Sequence, residues 1–134
     1  DFGGNTDVPV VSIDFDNFII SAPANGIVTL KQGHTFGGTL TADTVATNYN
    51  HYILSNITAD KTLTLPAGTV DNSIKLTNMS SLDASGAYVQ PSYTWSIATN
   101  GSDKIMRANS LTLDASTESF ELLYTDAANG WVIN

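Results

Sequence analysis

The feature that most constrains this chain is a period of two in its apolar residues. Val11, Ile13 and Phe15 alternate with Ser12, Asp14 and Asp16, and Leu63 and Leu65 with Thr62 and Thr64. Ile74 and Leu76 alternate with Ser73, Lys75 and Thr77. The spacing recurs at Trp95 and Ile97, Leu111 and Leu113, Phe120 and Leu122, and Trp131 and Ile133. Successive side chains of a strand point to opposite faces, so alternation sends one set to a core and the other to solvent. No window carries the i, i+3, i+4, i+7 stripe of an amphipathic helix. Charged residues make up only 13% of the chain, so exposed helical faces would lack Glu, Lys and Arg, whereas Thr, Val, Ile and aromatics favour strands. The expected class is all-β.

The breaks between runs carry turn chemistry. Asn25-Gly26, Asn100-Gly101 and Asn129-Gly130 tolerate positive φ and favour tight hairpins. Gly37-Gly38, Pro66-Ala67-Gly68 and Asp83-Ala84-Ser85-Gly86 punctuate further. The pattern predicts ten or eleven strands, near residues 8–13, 15–21, 26–31, 35–41, 51–55, 61–65, 73–78, 88–98, 110–114, 119–124 and 130–133, with a surface loop over 80–90. Many short strands with tight turns imply an antiparallel, jelly-roll-like β-sandwich of about ten strands. The 134 residues fit one domain, 1–134, and a chain of this length buries roughly two-thirds of its unfolded surface. Residues 1–20 read as a docking arm or donated strand. The chain opens on Asp1 rather than Met and lacks a signal-peptide pattern, which suggests a processed or partial product.

The net charge of −8 rests on only five basic residues, Lys31, Lys61, Lys75, Lys104 and Arg107, and these do not cluster. Nucleic acid and anionic membranes both require clustered cations, so neither is an expected partner. No run reaches the roughly 20 apolar residues of a membrane span. With no cysteine, the chain has no disulfide and no thiolate metal site.

Candidate chemistry is thin. His34 sits in a Gly-rich turn and His51 opens an apolar run, and no nucleophile elbow accompanies them. Asp14 and Asp16 share a strand face and could hold a Ca²⁺, although the favoured reading of the same spacing is a solvated face. Glu118 and Glu121, the only glutamates, fall on opposite faces of a strand and give little support to a glycosidase pair. No cofactor and no catalytic residue is expected. Among the aromatics that could stack on sugars, Trp95 and Trp131 fall in the apolar phase and read as core or assembly packing, with Val8, Val10, Val11, Ile13 and Phe15. Tyr49, Tyr52 and Tyr124 are further aromatics, while Tyr88 and Tyr93 flank Pro91 and are the candidates for exposed contact with a ligand or receptor. Asn56, Asn78 and Asn100 each open a glycosylation sequon.

Over about 51–134 an ordered series of motifs stands out: Thr62-Leu63-Thr64-Leu65-Pro66-Ala67, Ile74-Lys75-Leu76-Thr77-Asn78 and Trp95-Ser96-Ile97-Ala98-Thr99-Asn100-Gly101. It continues with Leu111-Thr112-Leu113-Asp114, Glu118-Ser119-Phe120-Glu121-Leu122-Leu123-Tyr124 and Asn129-Gly130-Trp131-Val132-Ile133. This series resembles the C-terminal β-domains of tailed-bacteriophage tail-fibre and head-decoration proteins. The resemblance implies a sandwich-like module, often homotrimeric, on a virion surface, in contact with a capsid or tail protein or with a host-surface glycan. It carries no shared active site, and residues 1–50 do not extend it. Two other readings are a filament subunit joined by donated strands from Thr6 to Ile20, extracellular on a cell surface, and a carbohydrate-binding module using Tyr88 and Tyr93.

Overall fold

The computed structural model describes residues 33–113 and 118–134. Gly33–Asn134 form one compact unit, so the body begins upstream of residue 51. The strands expected at 8–13, 15–21 and 26–31 lie outside the described residues, and so do Val8, Val10, Val11, Ile13, Asp14, Phe15 and Asp16.

No helix occurs among the described residues. Nine strands do: β1 (Thr35–Leu40), β2 (Thr44–Val45), β3 (Asn50–Leu54), β4 (Lys61–Thr64), β5 (Ser73–Asn78), β6 (Trp95–Ala98), β7 (Ser110–Leu113), β8 (Ser119–Asp126) and β9 (Gly130–Ile133). They form a five-stranded sheet in the order β1-β3-β5-β8-β9 and a four-stranded sheet in the order β2-β4-β6-β7.

The sheets are mixed, which corrects the expectation of a purely antiparallel, jelly-roll arrangement. The pairings β1–β3, β3–β5, β2–β4 and β4–β6 are parallel, and only β5–β8, β6–β7 and β8–β9 are antiparallel. From β1 to β6 the chain passes alternately through the two sheets, and each return lies parallel to the strand before it. This is the winding of a β-solenoid, in which the strand of the opposite sheet serves as the crossover that a parallel pair requires. After three turns the direction reverses, and β7, β8 and β9 close the coil with antiparallel pairs. Side-chain alternation is identical in parallel and antiparallel strands, so the period of two is blind to this difference.

The alternating apolar residues of both sheets meet in one core. Leu54, Ile74, Leu76 and Leu122 come from the larger sheet, Leu63 and Ile97 from the smaller, and all are fully buried. Burying each contributes about 1.5–3 kcal/mol. Trp95 and Trp131 also lie in this core. The Trp95 Nε1–H donates to Ser55 O at 2.9 Å. The Trp131 Nε1–H finds no hydrogen-bond partner among the described residues, and its ring meets Tyr124 edge-on at 5.7 Å.

One strand is shorter than its sequence signal. The run 88–98 becomes a strand only from Trp95, because Pro91 has no N–H for a ladder and a small hairpin occupies the residues before it. Asn100-Gly101 and Asn129-Gly130 do not form two-residue hairpins. Gly101 lies inside the long β6–β7 connection, and β8 turns into β9 through a longer loop that Asp126 caps, accepting from Ala128 N–H at 2.9 Å and Asn129 N–H at 2.7 Å.

Candidate functional site

Three surfaces bring polar or exposed apolar side chains together. The first is a groove of about 340 Å³ between the loop after β3 and the segment leading into β6. Asn56, Ile57 and Thr58 form one wall, and Val89 to Tyr93 form the other, with Ser80 between them. Tyr93 is 41% exposed and Val89 50%.

The groove is braced by its own backbone. The Asn56 Nδ2 donates to Ser80 O at 2.9 Å and to Leu82 O at 3.0 Å, tying one wall to the base of the other. Val89 N–H donates to Ser81 O at 2.8 Å, and Leu82 bridges Tyr88. Within that hairpin Asp83 Oδ1 accepts from Ser85 Oγ at 2.7 Å and from the Ser85 and Ala87 N–H groups at 2.9 Å. The Ser85 hydroxyl, then the backbone donors, hold the Asp83 carboxyl below its ordinary value. Tyr88 is exposed beside the groove, and its hydroxyl donates to Gln90 Oε1 at 2.8 Å.

The second surface is a polar row on the outer face of the larger sheet. Phe36, His51, Lys75 and Glu121 are successive register partners across β1, β3, β5 and β8. His51 Nε2 lies 2.8 Å from Thr77 Oγ1, and His34 Nε2 lies 2.6 Å from Ser73 Oγ. Burial first, then the Lys75 and His34 charges, lower the His51 pKa. A histidine–serine contact is the beginning of a nucleophile–base pair, but Ser73 is 5% exposed and its own N–H donates to Asn48 Oδ1 at 2.9 Å. No hydrogen bond between a carboxylate and either histidine occurs among the described residues. The contacts therefore read as cross-strand ties that fix the start of β1 over β5.

The third surface comprises the two edges of the larger sheet. At one edge, β1 reads Thr-Phe-Gly-Gly-Thr-Leu, with no charge and no proline, and Phe36 is 61% exposed. Beside it in the smaller sheet, Val45 of the edge strand β2 is 69% exposed. At the opposite edge, the segment 104–108 is strapped onto β9. Trp131 N–H donates to Lys104 O, and Met106 N–H donates to Trp131 O, each at 2.8 Å. Ile105 and Ala108 exchange backbone hydrogen bonds of 2.9 and 2.8 Å around a two-residue turn. Its central residues, Met106 and Arg107, have φ of 49° and 68°, the left-handed region that favours Asn and Gly. The Arg107 Nε donates to Asn129 Oδ1 at 2.9 Å, which holds the strained turn in place. Gly130, at φ 72°, packs its Cα against the Lys104 carbonyl, where any Cβ would collide.

Of the residues singled out in the sequence, Tyr93 lines the groove and Tyr88 flanks it through Gln90. Tyr52 and Tyr124 join the Trp pair in the core. Tyr49 has a positive φ, and its hydroxyl donates to Asp71 O at 3.2 Å. Of the three sequon asparagines, Asn78 is buried, Asn56 is exposed with its amide donating to two carbonyls, and Asn100 is exposed. Sequence reasoning missed the short β2, the Met106-Arg107 turn and the Asn56 brace. Nothing in their residue types announces these features. No family model matches the chain, and no curated protein is similar to it.

Proposed function

We propose that this chain is a non-enzymatic structural protein of a virion surface, a capsid decoration or fibre-tip module that assembles with itself and with a capsid or tail protein. The observation that carries this reading is the β1 edge, which no other described strand or strap covers. Sheet edges are ordinarily guarded by lysine, proline, a bulge that twists them away, or a covering segment. β1 has no charge or proline, its side chains are largely exposed, and Phe36 and Val45 add apolar surface beside its backbone. The register shift between Phe36 and Gly38 is its one irregularity. The β9 edge of the same sheet is strapped, so the two edges of this sheet differ.

The motif series that resembles phage fibre and decoration domains supplies the body of this coil. Its segments coincide with β4, β5, β6, β7, β8 and β9. An acidic, Thr-rich exterior keeps such a module soluble at high local copy number.

Size-exclusion chromatography with light scattering tests the proposal. A trimer at high concentration is expected, and lysines at Phe36 and Thr39 should convert it to monomer. A strictly monomeric protein at high concentration contradicts it. Deleting residues 1–12 separates the filament reading: loss of polymer with soluble monomer retained would favour donated strands.

A further inference from the structure

We infer that the groove between Asn56–Thr58 and Val89–Tyr93 is a binding site for a neutral saccharide. The inference stands apart from the assembly proposal, since none of the groove residues belongs to β1 or β2.

The chemistry of the lining selects the ligand class. A sugar ring offers an apolar face of C–H groups and a rim of hydroxyls that both donate and accept. The groove answers both needs: Tyr93, Val89, Pro91 and Ile57 provide apolar surface, and Thr58 and Gln90 provide hydroxyl and amide groups at its margin. Phosphate, sulfate and carboxylate ligands call for a cation, and none of Lys61, Lys75, Lys104 and Arg107 lines the groove. The net charge of −8 further opposes anionic ligands. A volume of about 340 Å³ falls at the small end of ligand pockets, enough for one or two sugar units.

The walls are also set before a ligand arrives. Asn56 clamps the carbonyls of Ser80 and Leu82, and Asp83 gathers the Ser85 and Ala87 donors at the hairpin tip. A wall already ordered by internal hydrogen bonds loses little conformational freedom on binding. The Asn56 Nδ2, the atom that a glycan on this sequon would occupy, carries both clamping bonds.

The test is an immobilised array of neutral oligosaccharides built from glucose, galactose, mannose and N-acetylglucosamine, with sialylated, phosphorylated and extended-peptide probes alongside. The best neutral probe is then titrated by calorimetry against the full chain and its variants. Tyr93→Ala should weaken binding about tenfold or more by removing the stacking face, while Tyr93→Phe should stay within about threefold. Because Tyr93 is 41% exposed, both variants should keep the wild-type circular-dichroism spectrum and melting temperature. Asn56→Ala should weaken binding with Tyr93 intact, by loosening the wall. Three outcomes would overturn the inference: no neutral probe above background, stronger binding to a charged or peptide probe, or binding indifferent to Tyr93→Ala.

Discussion

The two edges of the five-stranded sheet are built on opposite principles. At β9, a strap of backbone hydrogen bonds from Lys104 and Met106 covers the edge, at the cost of two left-handed non-glycine residues. At β1, a run of small and apolar residues lies open among the described residues, with neither charge nor proline. One edge carries backbone strain to be closed, and the other, among the described residues, has no charge, proline or strap and only the bulge between Phe36 and Gly38. On the proposed reading, the difference places closure and assembly at separate ends of one coil. Each end can therefore be altered without the other.

The largest effect should come from Gly130→Ala. A Cβ there meets the Lys104 carbonyl, and the left-handed φ adds its own penalty, so chemical denaturation should show a loss of about 2–3 kcal/mol or more. Self-association through β1 should survive in whatever fraction remains folded. Next in size is replacing Met106-Arg107 with Asn-Gly. Left-handed geometry costs an ordinary residue about 1–2 kcal/mol, and the Arg107–Asn129 hydrogen bond lost in exchange offsets part of it. A net gain of about 1 kcal/mol is expected, read as a higher melting temperature.

The tryptophan pair gives a third comparison. Trp95→Phe breaks the bond to Ser55 O and leaves that carbonyl short of a donor. Trp131→Phe instead removes an N–H that has no partner, so it should cost about 1 kcal/mol less than the Trp95 change. The lysine pair at Phe36 and Thr39 should have the smallest effect on monomer stability, within about 0.5 kcal/mol, while abolishing association.

Acid should weaken the fold in two stages. The His51 pKa is lowered from 6.5, so the folded state resists its protonation. Stability therefore falls as pH drops from about 6.5 through the folded value, and His51→Gln should remove this stage. Asp83 and Asp126 are lowered from 3.8, Asp126 first by the Asn129 backbone N–H, so their contributions hold above that value and are lost below it. Melting temperatures across pH 3 to 8 check both stages.

How much of this was legible beforehand follows from what each residue encodes. The alternation at Ile74 and Leu76, or at Trp95 and Ile97, reports a face and hence a strand, and those strands lie where the pattern puts them. Parallel pairing leaves no mark on that alternation. Asn129-Gly130 does mark the β8–β9 hairpin, whereas Gly101 lies within the long β6–β7 connection. β2 is two residues long, too short for any period. The groove was half legible: Tyr88 and Tyr93 stood out beside Pro91, but the Asn56 clamp depends on residues 24 and 26 positions away. The Met106-Arg107 turn was invisible because tertiary hydrogen bonds, not residue preference, hold it.

The central claim is that β1 is the edge through which copies of this protein meet. Amide hydrogen exchange at low and high protein concentration tests it directly. Outward-facing amides within Thr35–Leu40 should exchange freely when dilute and become protected when concentrated, while the Trp131 amide, bound to Lys104 O, stays protected throughout. Equal protection of the β1 amides at both concentrations would contradict the account.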